Sequence, residues 1–245
     1  MGYDTYCTHV FNAKEDVRVN REKSIVEVAF SAPGDAPIRY TLDGSEPDES
    51  STLYTEPVAI EGTCTLKAAS FRPGKKTKPV ILAFAGHKAM GSPITGNSTP
   101  LADYSFNFPD NLVDGIRGRG DYGSGEWVGF HDESLDVTFQ MDGNTPYTSV
   151  TIGTFLERVD RVMNPSAISV SVSDDGKDFR EVAKNEYAPV GPDGKERITV
   201  NYTMTFPETT AKYIHVTVEP QSETPSWHNK KGTPTYLYID EILVK

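Results

Sequence analysis

The chain predicts an all-β fold made of two consecutive sandwiches. Apolar residues recur at every second position: Ile38, Tyr40 and Leu42 alternate with Arg39 and Thr41, and Ile198, Val200, Tyr202, Met204 and Phe206 alternate without a break. The 20 Gly and 17 Pro, with abundant Val, Thr and Tyr and few Ala- or Leu-rich stretches, favour strands and turns over helices. A length of 245 residues suits two domains, because domains cluster at about 100 to 150 residues.

The first sandwich is expected over residues 1–88, with strand patterns at 25–30, 38–42, 64–71 and 80–84. Asp43-Gly44 turns the chain, Pro47 lacks the N–H that a ladder needs, and Pro57 precedes the apolar pair Val58 and Ile60. Leu66, Ala68 and Ser70 then alternate with Lys67, Ala69 and Phe71. Residues 86–100 are rich in Gly, Ser, Thr and Pro without periodicity, which places a linker at 89–100. The second domain, 101–245, carries alternating sets at Leu135, Val137 and Phe139, at Val150 and Ile152, at Ile168, Val170 and Val172, and at Ile214, Val216 and Val218. Asp174-Asp175-Gly176-Lys177 signals a hairpin, and residues 236–244 bring the C-terminus back into a sheet. Eight or so short strands in about 150 residues suggest a jelly-roll sandwich.

Two resemblances cover nearly the whole chain. The run Tyr40-Thr41-Leu42-Asp43-Gly44-Ser45-Glu46-Pro47, continued by Tyr54, Pro57, Ile60 and residues 63–68, resembles the accessory domain that follows the catalytic barrel in bacterial chitobiases and β-hexosaminidases. That resemblance implies an immunoglobulin- or fibronectin-like β-sandwich. Asn111-Leu112-Val113-Asp114-Gly115, Glu126-Trp127-Val128-Gly129 and residues 165–179, 211–216 and 238–243 are similar to a discoidin domain, also called coagulation factor five/eight type C. The carbohydrate-binding branch of that family is appended to bacterial glycosidases. Their order implies the noncatalytic C-terminal region of a family-twenty hexosaminidase from Bacteroides-like bacteria, periplasmic, cell-surface or extracellular. On this view the first sandwich is a spacer against its own catalytic domain. The discoidin domain binds an N-acetylglucosamine-containing glycan, and the chain is expected to be a monomer. The rival implication is a docking or stability module with no ligand.

Composition and motifs exclude several other functions. A formal charge of −11 repels phosphate backbones and anionic lipid, so nucleic acid is not an expected partner. No run of about 18 apolar residues spans a membrane, and no charged-then-apolar leader opens the chain. A (β/α) barrel takes about 250 residues by itself, and the adjacent acidic pairs at 48/49, 132/133 and 240/241 stand in turns or a strand rather than in alternating strands and helices. Hydrolysis by this chain is therefore not expected. Gly118-Arg119-Gly120-Asp121-Tyr122-Gly123 matches a dinucleotide-binding pattern in spelling only, since no helix follows it. The Arg119-Gly120-Asp121 tripeptide inside it is short enough to arise by chance. The five His lack zinc-ligand spacing. Cys7 and Cys64 permit one disulfide or serve as two separate core residues.

Sugar recognition needs aromatic faces for the C–H faces of pyranose rings, with donors and acceptors for the hydroxyls. Trp227 and His228, in the polar, Pro-interrupted segment 219–235, are the leading candidates. Tyr122, Phe155, Glu157, Arg158 and His131 lie in other loops or strand ends that a jelly roll gathers at one rim. The competing reading makes Trp227 the anchor of its own loop. Trp127 opens a strand and is expected in the core. Arg158 and Arg161 flank Val159 and Asp160 where sugar-binding relatives carry another aromatic residue. The discoidin resemblance also implies one structural calcium ion where the first loop meets the terminal strand, at Asp114 and Glu241. Arg117-Gly118-Arg119-Gly120 stands where that branch has a small hydroxyl residue. A turn-forming Asp114 with Glu241 in a local salt bridge is the equal alternative.

Overall fold

Strand alternation dominates the architecture. The computed structural model describes residues 11–123, 125–194 and 197–245, so Cys7, and with it the proposed Cys7–Cys64 pairing, lies outside the described residues. The first part contains β1 (Lys14–Asn20), β2 (Ile25–Ser31), β3 (Ile38–Thr41), β4 (Thr52–Leu53), β5 (Val58–Ile60), β6 (Cys64–Arg72), β7 (Lys75–Lys76) and β8 (Val80–Phe84). One sheet runs β1-β2-β5, and the other runs β4-β3-β6-β7 with β8 also on β6. Their inward residues, among them Val26, Val28, Ile38, Ile60, Leu66, Ala68 and Phe84, form one core. Gly44, at a φ of +79, supplies the left-handed residue that the Asp43-Gly44 turn requires.

The second part contains β9 (Ile94–Gly96), β10 (Val128–His131), β11 (Leu135–Gln140), β12 (Tyr147–Glu157), β13 (Pro165–Ser173), β14 (Arg180–Glu186), β15 (Arg197–Thr209), β16 (Tyr213–Pro220) and β17 (Tyr236–Val244). A four-stranded sheet ordered β10-β17-β12-β15 faces a five-stranded sheet ordered β14-β13-β16-β11-β9. Phe130, Val137, Phe139, Ile152, Ile168, Val170, Val216 and Ile239 pack between them. Each such burial is worth about 1.5–3 kcal/mol. The Asp174–Lys177 signal does close a hairpin: β13 pairs antiparallel with β14, and Asp175 Oδ1 accepts the backbone N–H of Lys177 and Asp178, both at 2.9 Å.

Two expectations need correction. The segment read as a linker is part of the second sandwich: Ala89, Ser92 and Ile94 are buried, and β9 pairs with β11 through Ile94↔Phe139 and Val137↔Gly96. Its Gly, Ser and Pro content hides a strand only three residues long. The pattern at 38–42 ends one residue early, leaving Leu42 exposed beyond β3. The two sandwiches also touch. Arg21 donates twice to Asp110 at 2.9 and 2.7 Å, the Ala85 N–H reaches the Gly115 carbonyl at 2.7 Å, and Val19 packs on the second core. Among the described residues no helix is long and apolar enough to cross a membrane.

Candidate functional site

Leu237 and Ile239 of β17 point into the main core, so Tyr236 and Tyr238 take the opposite face of the four-stranded sheet. There Tyr238 joins Trp127, Phe155 and Val162 in a second, smaller apolar cluster. At its margin the chain opens a cleft of about 580 Å³ lined by Tyr104, Tyr122, Tyr236 and Tyr238, with Asp103, Asp160, Arg161 and Lys230 supplying charge. Tyr104, Tyr122 and Tyr238 form a contiguous set: Tyr122 lies 4.7 Å from Tyr238, tilted, and Tyr104 lies 5.1 Å from Tyr238, edge to face. Tyr236 carries His131 stacked at 4.4 Å and the Arg161 guanidinium at 4.8 Å.

The polar groups are oriented. Arg161 donates to the Pro234 carbonyl and the Tyr236 hydroxyl, each at 3.1 Å, from a left-handed backbone with φ 64 that is uncommon for a residue with a Cβ. The Tyr122 hydroxyl donates to Asp160 at 3.3 Å. Burial, reinforced by the charges of Asp160 and Glu157, pushes the Tyr122 hydroxyl up to about 12. Burial also raises Tyr238, with Tyr104 and Tyr122 adding to it. Both hydroxyls therefore remain donors at neutral pH.

The sequence-expected residues divide. Tyr122 lines the cleft and His131 flanks it through Tyr236. Phe155 does not reach a ligand: it is fully buried, 5.3 Å from Trp127, because it lies on the side of β12 covered by that second cluster. Trp127 is likewise fully buried. Trp227 is half-buried and spends its indole N–H on the Val190 carbonyl at 3.0 Å. His228 is buried too. Its Nδ1 accepts the Lys230 N–H at 2.9 Å, so its Nε2 carries the proton and donates to the Arg158 carbonyl at 2.7 Å. Arg158 in turn donates to the Gly191 carbonyl at 2.9 Å. Trp227, His228 and Arg158 thus tie three loops to one another through backbone carbonyls. Glu157 is buried and paired with Arg197 at 2.6 Å. Arg119 pairs with Glu126, and Asp121 Oδ1 caps the Gly123 N–H, so the Arg-Gly-Asp side chains fold back on their own loop.

Sequence reasoning missed Tyr104, Tyr236 and Tyr238. The last two alternate with Leu237 and Ile239, a pattern that marks two faces without saying which is covered.

Asp114 and Glu241 do come together. Burial, followed by their mutual repulsion, raises Asp114 well above the carboxylate range, and burial with Asp240 nearby does the same to Glu241. His87 Nε2 sits 2.7 Å from Glu241 Oε1. Burial lowers that imidazole to about 3, so the contact is a neutral hydrogen bond rather than an ion pair. Calcium takes six to eight oxygens, and one buried carboxylate oxygen here, Glu241 Oε2, has no hydrogen-bond partner. Glu241 Oε1 is engaged by His87, Asp114 Oδ1 accepts the Ile116 N–H, and Asp240 is held by Arg117 and the Gly118 N–H. Among the described residues no group of three or more His, Cys, Asp or Glu side chains is placed to hold a metal.

Comparisons with known proteins add the following. A family model described as Fn3 associated matches residues 26–83. No curated protein matches the chain. Among solved structures, a putative α-L-fucosidase from Bacteroides thetaiotaomicron is similar at 15% identity and a TM-score of 0.37, over 63% of this chain and 27% of that one. A fucose binding module from Streptococcus pneumoniae is similar at 18% identity and a TM-score of 0.35, over 64% of this chain and 93% of the module. The C-terminal domain of a chitobiase from Bacteroides fragilis is similar at 15% identity and a TM-score of 0.32, over 62% and 92%. The chain spans 27% of the length of the fucosidase.

Proposed function

We propose that this chain is a noncatalytic accessory region of a secreted glycoside hydrolase of the β-hexosaminidase type, and that its second sandwich binds a glycan in the tyrosine cleft. The observation that carries the reading is the cleft itself: four tyrosine rings beside an oriented guanidinium and two carboxylates. The partly exposed Tyr104 and Tyr122 offer ring surface for a pyranose, while the charged lining offers donors and acceptors for its hydroxyls. The two acids and two bases of the lining balance, which suits a neutral sugar such as an N-acetylglucosamine-containing chain. The first sandwich acts as the spacer toward the catalytic domain of the parent enzyme, outside the cell or in the periplasm, and the region works as a monomer. Tethering a weak binder to an enzyme raises local substrate concentration without touching the chemical step.

A glycan array followed by calorimetry tests this. Tyr122→Ala is expected to weaken the tightest glycan about tenfold, the loss of roughly 1.4 kcal/mol that one aromatic contact supplies. Trp227→Ala is expected to lower the melting temperature while leaving affinity near wild type. The reverse pattern would move the site to the 219–235 loop, and no binding by the wild type to any glycan would favour the purely structural role.

A further inference from the structure

β17 contains an irregularity in its pairing with β12. Ile152 pairs with Ile242 and Thr154 with Ile239, so Asp240 and Glu241 together oppose the single residue Gly153. This is a β-bulge, a device that re-aims side chains. A Cβ at Gly153 would overlap the Asp240 carboxylate. The space left by that glycine holds Asp240, fully buried, with Arg117 Nε on its Oδ2 at 2.7 Å and the Gly118 N–H at 2.8 Å. Arg117 Nη2 continues to Asn201 Oδ1 at 2.6 Å. Five residues further on, the same loop delivers Tyr122 onto Tyr238 and Phe155. Between the two points the Trp127 indole donates to the Arg119 carbonyl at 2.9 Å, and any side chain at Gly118 would strike the Trp127 ring.

We propose that Arg117 is a positioning residue for the cleft: its pair with the buried Asp240, seated at the bulge opposite Gly153, holds residues 117–123 against the sheet and fixes Tyr122 as a cleft wall. This rests on the glycan reading of that cleft. Arg117 touches no ligand and acts through Tyr122.

The test combines hydrogen exchange with a double-mutant cycle, using N-acetylglucosamine, galactose and fucose as calorimetric probes. Arg117→Gln is expected to speed exchange at the Gly118, Asp121 and Gly123 amides and to weaken the best-bound sugar about tenfold. Tyr122→Ala should then cost nothing further in the Arg117→Gln background. Unchanged exchange at those amides, or losses that simply add, overturns the proposal. If Arg117→Gln does not fold, Asn201→Ala removes only the outer hold and must show the same non-additivity in milder form. If no probe binds the wild type, the glycan reading fails by itself, and the exchange rates still decide whether Arg117 holds the loop.

Discussion

Asp240 has no solvent exposure, and an isolated charge there would be prohibitively desolvated. Burial raises its carboxyl, and Arg117 offsets that effect. Removing one partner of a fully buried pair costs about 3–5 kcal/mol, because the other is left uncompensated; Arg117 keeps 25% side-chain exposure, so the loss here is smaller. Glu241, its neighbour, has no comparable cation: the neutral His87 contacts its Oε1, a hydrogen bond with Asp114 offsets part of its burial, and its Oε2 has no partner. A proton on Asp114 or Glu241, or a bound ion, would supply the neutralising charge. A calcium ion at 100 times its Kd would add about 2.7 kcal/mol, a shift of several degrees in melting temperature. The expected result is the same melting temperature in millimolar calcium and in chelator. A calcium-dependent rise would restore the ion that the family resemblance implies.

Turns carry the next level of order. Asp43, Asp48, Asp142 and Asp175 each cap a turn, accepting N–H or hydroxyl donors from residues two or three positions on. Those donors hold all four carboxyls below the usual carboxylate range. A folded value below the unfolded one contributes stability above the unfolded pKa that is lost as pH falls through the folded one. Melting temperature measured from about pH 6 to about pH 3 is therefore expected to decline at the acid end, with Asp175→Asn, which keeps an acceptor but cannot titrate there, shallower than wild type. Equal slopes would remove the capping account. At this scale the sequence was most legible: alternation located strands, and Asp-Gly pairs located turns. The β17 bulge was not read from the sequence, which offered only a terminal strand over 236–244: the apolar Tyr238 and Leu243 mask the parity change between Leu237 and Ile239 and the later Ile242 and Val244. Nor was the cleft. Tyr104, Tyr122, Arg161 and Tyr236 meet only through strand order, and Trp227 spends its N–H on Val190, 37 residues away along the chain.

The segment between the sandwiches decides how the whole molecule behaves. A loose linker would let the glycan cleft swing freely on the first sandwich. Here Gly91, at a φ of +75, lies against the Ile25 backbone, where any Cβ would collide, and its N–H reaches the Val113 carbonyl at 2.8 Å. Ile94 and Ala89 are buried in the second core. Unfolding this segment would expose both side chains and break the β9 ladder, so proteases that need an extended, accessible chain should pass it over. Limited digestion by a protease of broad specificity is expected to cut first at exposed residues such as Gly191 to Asp193 and to spare residues 89–96. Calorimetry is expected to show one transition, because Val19, Arg21 and Ala85 of the first sandwich hold directly to the second. An early cut within 89–96 together with two separable transitions would mean the sandwiches move independently, and the cleft would then reach glycan by a tether rather than from a fixed position.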